Sequence, residues 1–177
     1  LKNALLIQLA GFLLLAIDFI PRFGWKKGTW FSLFHAVSAF GNAGFDLFGD
    51  SLVGFQQNPW VLSIISGLII SGGLGFLVWS DVLSYKRVRR ISLHSKIALI
   101  VTATLLIFGT LGFMLTEGNA ASLAEGNVIH RFFNTIFMSV TPRTAGFFSV
   151  DYASMTHAGL LLTIILMFIG GTSGSTA

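Results

Sequence analysis

The sequence predicts an all-α membrane protein built from tandem repeats of a span, a half-length helix, a re-entrant loop and a second span. Hydrophobic residues make up 54% of the chain and charged residues only 10%, whereas soluble domains carry about 25% charge. Apolar segments long enough to cross a bilayer alternate with shorter apolar segments. A motif that ends in Ala-Gly-Phe follows both short segments. These three observations indicate a duplicated membrane unit.

The first unit contains two expected spans and one short helix. The segment from Ala4 to Ile20 is apolar and approaches the roughly 20 residues that a span needs. We expect Pro21 to end it and Thr29 to cap a short helix from Trp30 to Phe40, which is about half a bilayer long. The segment from Trp60 to Trp79 is predicted to be a second full-length span.

A short basic segment separates the two units. The only dense run of charge lies between Asp81 and Lys96, and its basic residues from Lys86 onward predict that this loop is cytoplasmic. We therefore divide the chain into a first repeat at 1–79, a cytoplasmic loop at 80–96 and a second, truncated repeat at 97–177. A nucleic-acid partner is not expected, because one short basic loop is not a basic face.

The second unit repeats the order of the first. The segment from Ile97 to Thr116 is predicted to be a span, and Asn127 is expected to cap a short helix from Val128 to Val140. The segment from Thr156 to Ile169 begins another span. It breaks into Gly170-Gly-Thr-Ser-Gly-Ser-Thr-Ala177, which is too polar and too rich in glycine for a lipid-facing helix.

The two signature stretches lie between a short helix and a span. The first reads Ser38-Ala-Phe-Gly-Asn-Ala-Gly-Phe45, and the second reads Ser139-Val-Thr-Pro-Arg-Thr-Ala-Gly-Phe147. Neither contains the usual side chains of catalysis. What both offer is backbone, since each carries a glycine just after a predicted helix end. This pattern is typical of a segment that binds through its carbonyl groups.

Backbone carbonyls at these positions are suited to a dehydrated cation. A cation inside a membrane must replace its hydration shell, and inward-pointing carbonyls do so without a fixed charge. The C-terminal end of a half-helix adds about half a negative charge. Gly44 and Gly146 allow consecutive carbonyls to turn to one side, and Asn42 and Thr144 add side-chain oxygen at the matching position. We interpret these stretches as parts of a cation-selectivity filter, composed of Asn42, Ala43, Gly44, Phe45, Thr144, Ala145, Gly146 and Phe147.

Other polar residues receive more modest interpretations. Arg143 precedes the second filter triplet, and we expect it to support the loop. Its expected partner is a backbone carbonyl or one of four carboxylates; the alternative is that it tunes ion entry. The four histidines lack metal-ligand spacing, and Ser173 and Ser175 lack a base partner. The carboxylates considered for Arg143 are those of Asp46, Asp50, Glu117 and Asp151.

Several motifs together resemble the Ktr/Trk/HKT superfamily of potassium transporters, most closely the bacterial Ktr membrane subunit. Phe34-His-Ala-Val-Ser-Ala-Phe-Gly-Asn-Ala-Gly-Phe45 is similar to its second filter region, and Thr141-Pro-Arg-Thr-Ala-Gly-Phe147 is similar to its third. Gly72-Gly-Leu-Gly-Phe76 and Met167-Phe-Ile-Gly-Gly-Thr-Ser-Gly-Ser-Thr-Ala177 resemble the broken second spans of those repeats. The resemblance covers essentially the whole chain.

The resemblance implies a K⁺ pore of four repeats, of which this chain holds the second and third. It further implies a homodimer of membrane subunits on a cytosolic ring of nucleotide-binding regulatory subunits. The filter loops would open to the outside of the plasma membrane, and no organic cofactor is expected. Na⁺ stays open as a coupling or activating ion. Both ends look cut, so we expect a longer polypeptide. The implied intramembrane gate consists of Gly170, Gly171, Thr172, Ser173, Gly174 and Ser175.

Three alternatives to a K⁺ pore stay open from the residues alone. A secondary transporter of another small solute or of Na⁺ also uses broken helices, but it does not need two Ala-Gly-Phe motifs after half-helices. An intramembrane enzyme needs a catalytic dyad at bilayer depth, and none is visible. A scaffold or assembly subunit is the third alternative.

Overall fold

A computed structural model describes residues 2–88, 92–118, 123 and 127–170. The regular elements in these ranges are helical, which confirms the predicted all-α fold. Two short 3-10 turns, Val53–Phe55 and Tyr152–Ser154, lie in the loops that follow the signature stretches. The α-helices are α1 (Lys2–Phe23), α2 (Trp25–Phe40), α3 (Pro59–Gly73), α4 (Gly75–Val88), α5 (Leu93–Glu117), α6 (Val128–Val140) and α7 (His157–Ile169).

The helices pack as two similar groups. In the first group α1 packs against α2 and α3, and α2 also packs against α3. In the second group α5 packs against α6 and α7. Contact between α3 and α6 joins the groups, and α4 leads from α3 to α5. The largest apolar core therefore includes residues of both groups, such as Phe19, Ile65 and Phe147.

Two of the described helices, α1 and α5, are long and apolar enough to cross a membrane. Only 17% of the most apolar part of α1 and 22% of that of α5 is buried inside the protein. The core helix of a soluble protein would be mostly buried, whereas a helix in contact with lipid leaves its apolar side chains uncovered. Uncovered side chains of this kind include Leu5, Leu9 and Leu13 on α1 and Ile100, Phe108 and Leu115 on α5.

The predicted boundary between the first span and the short helix is wrong. α1 continues through Pro21 to Phe23, because a proline in the last turn removes only one hydrogen bond near the helix end. Gly24, with φ of 80°, is the single residue between the helices, and α2 begins directly after it. Thr29 is therefore inside α2, where its hydroxyl donates to the carbonyl of Trp25 at 2.6 Å.

The segment expected to be one full span, Trp60 to Trp79, is broken into two helices. α3 ends at Gly73, Leu74 forms a turn, and α4 starts at Gly75 with φ of 79°. A left-handed residue cannot continue a right-handed helix, so the chain changes direction here. The indole of Trp79 donates to the carbonyl of Ser71 at 2.7 Å and so spans the break.

Asp81 connects the middle of α4 to the start of α5. Its carboxylate accepts hydrogen bonds from the hydroxyls of Ser92 and Ser95, the second at 2.6 Å. The backbone N–H of Ser92 donates to the same oxygen at 3.2 Å. The hydrogen bond from the Ser92 side chain, followed by that from Ser95, lowers the pKa of Asp81. The charged carboxylate thus ties α4 to the N-terminal cap of α5.

The predicted start of the second short helix is confirmed. Asn127 caps α6 by accepting from the N–H of Val128 at 2.7 Å, and the helix ends at Val140 as expected. α7 begins after Thr156, whose hydroxyl accepts from the N–H of Gly159 at 3.0 Å. The cap at Asn127 was recognisable because asparagine stands directly before an apolar residue pair, whereas the cap at Thr156 was not predicted.

Glu117, at the end of α5, holds the start of α7. The carboxylate is fully buried and accepts from both the N–H and the hydroxyl of Thr156, at 3.0 Å and 2.5 Å. It lies at a helix N-terminus, where the helix dipole favours a negative charge. A Cβ added to Gly159 would approach its oxygen to 2.1 Å, so the glycine makes room for it.

We expect Glu117→Ala to destabilise the protein by about 1–3 kcal/mol, because it leaves the half-buried donors of Thr156 without their acceptor. The measurement is thermal unfolding of the purified protein in detergent. Asp50→Ala is the matched control, since Asp50 is exposed and its carboxylate makes no hydrogen bond within the described ranges. An equal loss of stability in both variants would contradict the role of Glu117.

Candidate cation filter

The two short helices end at the two signature stretches. α2 ends at Phe40 and α6 at Val140. In both stretches two left-handed residues are separated by one alanine: φ is 49° at Asn42 and 72° at Gly44, and it is 69° at Thr144 and 75° at Gly146. Non-glycine residues rarely adopt this conformation. The matched positions therefore share a positive φ, although the second loop is longer.

Hydroxyl groups hold the end of each stretch. In the first, Ser38 donates to the carbonyl of Phe45 at 2.7 Å. In the second, Thr141 donates in the same way to the carbonyl of Phe147. The alanine N–H groups also turn back toward their helices, with that of Ala43 donating to the carbonyl of Ser38 at 2.9 Å. Each stretch is thus tied to the end of its own short helix.

The two stretches touch at their glycines. A Cβ added to Gly44 would lie 2.7 Å from the carbonyl oxygen of Ala145 and 2.8 Å from the Cα of Gly146. A Cβ added to Gly146 would lie 3.1 Å from the Cα of Gly44. No side chain fits between backbones at this separation. The duplicated glycines therefore have two functions, a left-handed dihedral angle and a close approach of one loop to the other.

The two phenylalanines that end the stretches have different environments. Phe147 is fully buried, and its ring lies 6.4 Å from that of His35 on α2. Phe45 is 69% exposed in this chain. The second stretch thus packs behind the short helix of the first unit, while the matched residue of the first stretch meets no such helix within the described residues.

The side chains of Asn42 and Thr144 also differ, despite their matched backbone. The Asn42 amide lies beside the helix break, because a Cβ added to Gly73 would be 3.3 Å from its nitrogen. The Asn42 amide oxygen is buried and has no partner in the described part of the chain. Thr144 is exposed. The side-chain oxygens of the two loops therefore lie in different environments, one buried and one exposed.

Arg143 lacks the acidic partner that we expected. Its Nε is buried, and across the described ranges the guanidinium forms no ion pair and Nε has no hydrogen-bond acceptor. The side chain lines a cavity of about 210 Å³ together with Gly73, Leu74 and Gly170, and the cavity extends to His94 at the start of α5. The expected carboxylates are elsewhere; that of Asp46, for example, is occupied by backbone N–H groups of its own turn.

The segment interpreted as a gate starts at the end of α7. Gly170, with φ of 67°, terminates this helix at the cavity that Arg143 also lines. The remaining gate residues, Gly171, Thr172, Ser173, Gly174 and Ser175, lie outside the described residues. Glycine at the helix end agrees with the predicted break after Ile169.

Comparison with known families identifies the family to which this chain belongs. The model of the TrkH family, described as "Cation transport protein", matches residues 2–177. The chain belongs to the TrkH family. The resemblance to the Ktr/Trk/HKT superfamily is therefore confirmed, and so is the prediction that this is not an enzyme, since TrkH proteins are membrane cation transporters.

Individual TrkH relatives are potassium uptake proteins by name. The chain is 60% identical, over its full length, to the potassium/sodium uptake protein NtpJ of Enterococcus hirae. It is 42% identical to the Ktr system potassium uptake protein B of Bacillus subtilis over 97% of its length, and 42% identical to that of Vibrio alginolyticus over 98%. The chain spans 39% of the length of each of these relatives.

Sequence reasoning missed the loop that connects the two units in this TrkH chain. Asp46 folds the residues after the first stretch into a turn, and Ser51 in that turn bonds to Phe148 of the second unit. The buried Asn134 of α6 donates to the carbonyl of Gln56 at 2.6 Å. The spacing of Asp46 and Gly49 was a usable signal, because aspartate and glycine often form such turns.

Proposed function

We propose that the complete protein carries K⁺ across the cell membrane and that the two signature stretches form part of its selectivity filter. The observation that carries this proposal is the pair of glycine loops in contact at the ends of two short helices. The matched left-handed residues support it, since alternating dihedral angles allow carbonyls to turn to one side. The helix C-termini add negative potential near the loops.

In this proposal the filter uses backbone rather than side chains. The carbonyls of the eight filter residues coordinate the dehydrated ion, and glycine is required where the loops meet. Arg143 supports the second loop from the side of the cavity. The names of the relatives favour K⁺, with Na⁺ as a second ion for the 60% identical relative. The proposed filter residues are Asn42, Ala43, Gly44, Phe45, Thr144, Ala145, Gly146 and Phe147.

The remaining elements of the proposal concern gating and assembly. Gly170 to Ser175 would form an intramembrane loop that closes the path below the filter. Two membrane subunits would assemble on a cytosolic nucleotide-binding ring, with the basic loop at 86–96 facing the cytoplasm and the filter loops facing outward. The resemblance to the Ktr membrane subunit supports this arrangement, and the basic charge of the loop supports its orientation.

The test is rescue of a K⁺-uptake-deficient cell by the complete protein. We expect growth at low external K⁺, and uptake of K⁺ in preference to Na⁺. Uptake of Na⁺ without K⁺ would favour the alternative of an Na⁺ transporter. Membrane-inserted protein that transports neither ion would overturn the proposal. An antibody against a tag provides the control for the amount of inserted protein.

A further inference from the structure

We propose that Ser51 is a positioning residue for the second signature stretch, and that the turn made by Asp46 sets Ser51 in place. Asp46 directly follows the first stretch, and Phe148 directly follows the second. Hydrogen bonds run from one to the other through Ser51, so the two loops are mechanically coupled. This inference deepens the proposed function, because it rests on the interpretation of both stretches as filter segments.

The carboxylate of Asp46 organises the turn that contains Ser51. One oxygen accepts three backbone hydrogen bonds, from Phe48 at 2.9 Å, Gly49 at 2.7 Å and Ser51 at 3.2 Å. Charge-assisted hydrogen bonds of this kind are stronger than neutral ones. Ser51 is 4% exposed and has φ of 56°, a conformation that costs free energy for a residue with a side chain. The turn therefore holds Ser51 in a strained but defined position.

From this position the first unit holds both polar groups of one residue in the second unit. The hydroxyl oxygen of Ser51 accepts from the N–H of Phe148 at 3.0 Å. The N–H of the next residue, Leu52, donates to the carbonyl of Phe148 at 2.9 Å. We call these two hydrogen bonds, which join Ser51 and Leu52 to Phe148, the clamp. Leu52 is fully buried in the main core, so its side of the clamp is held in place. Phe148 is thus fixed from both sides by a loop of the other unit.

The clamp acts two residues from the glycine at which the loops meet. Phe147, between Gly146 and the clamp, is fully buried and receives a hydrogen bond from Thr141 at its carbonyl. The end of the second stretch is therefore held twice, once by its own loop and once by the first unit. A displacement of the Phe148 backbone should also displace Gly146, because the tightly packed Phe147 between them cannot absorb the movement.

We expect Ser51→Ala, in the full-length protein, to lower the ratio of K⁺ to Na⁺ uptake by up to about tenfold, the factor that corresponds to one lost hydrogen bond to a half-buried group. Ser51→Gly is the second variant, since it also removes the hydroxyl but relieves the left-handed strain. Asp151→Asn is the matched control. Asp151 forms a similar turn after the second stretch, accepting from Ala153 at 3.0 Å, and lies outside the clamp. Its ratio should stay within about twofold of the wild type.

Uptake is compared per molecule of membrane-inserted protein. A purely structural role predicts less folded protein with an unchanged ion ratio. Wild-type ratios in both Ser51 variants would therefore overturn the proposal, and so would an equal change in the Asp151 variant.

Hydrogen exchange of the purified full-length protein tests the clamp without relying on transport. We expect faster exchange at the amide of Phe148 in Ser51→Ala than in the wild type or in Asp151→Asn. If the wild type fails to transport, the proposed function fails, while this measurement still reports on the clamp. Unchanged exchange at Phe148 in both Ser51 variants would show that no clamp exists.

Discussion

Gly72→Ala should disrupt the protein more than any other single methyl addition considered for this chain. A Cβ at this position of α3 would lie 1.8 Å from the carbonyl oxygen of Phe40 and 2.8 Å from its carbonyl carbon. The obstructing atoms belong to backbone at the end of α2, so no side chain can rotate away. We expect a loss of about 3 kcal/mol or more in stability, the upper end of the range for overpacking.

The matched control for this variant is Gly67→Ala on the same helix. No atom lies within 4 Å of an added Cβ at Gly67 among the residues that the structure describes. Replacement of a helical glycine by alanine should therefore stabilise α3 by roughly 0.5–1 kcal/mol. Thermal unfolding of both full-length variants in detergent provides the comparison. Similar unfolding temperatures for the two would contradict the close approach of α3 to Phe40.

The second large effect is expected at the glycines where the two loops meet. Gly44→Ala adds a methyl group that would lie 2.7 Å from the carbonyl oxygen of Ala145, in a left-handed conformation that costs roughly 1–2 kcal/mol by itself. Gly146→Ser likewise places a side chain at the contact between the loops and on a residue in the left-handed conformation. We expect both variants to lower the K⁺/Na⁺ permeability ratio by at least about tenfold, because displaced carbonyls no longer match the dehydrated ion.

Gly24→Ala separates dihedral strain from contact between the loops. Gly24 has φ of 80°, but no described atom lies within 4 Å of an added Cβ. This variant should lose some stability and keep the permeability ratio of the wild type. Permeability is measured from ion uptake by cells that express equal amounts of each full-length variant. Unchanged ratios in Gly44→Ala and Gly146→Ser would count against the filter assignment.

The fold was largely predictable because its signals are local. Asn127 precedes an apolar run and caps α6, and the bounds of that helix follow from the run alone. The duplicated motif also predicted matched loops, since glycine after a helix end has few other uses. The helix ends at Phe23 and Gly73 were less predictable. In both places a neighbouring glycine, Gly24 or Gly75, determines where the chain turns.

The parts of the site that sequence reasoning missed depend on contacts between the two units. Arg143 is close in sequence to one of its expected partners, Asp151, yet its side chain lines a cavity instead. Ser51 and Phe148 are separated by 97 positions, and their hydrogen bond has no signature in either segment. Burial of Phe147 and exposure of Phe45 differ for the same reason, because the two residues share a motif but not a neighbour.

The burial of Phe147 has a consequence for how the protein is made. Its ring packs beside His35, so its site exists only after α2 has taken its place next to α1 and α3. A chain synthesised from its N-terminus presents α2 long before Phe147 emerges, and N-terminal parts generally fold first. We therefore expect the first unit to be the template on which the second unit completes its folding. We expect the packing of the two units to proceed in the direction of translation.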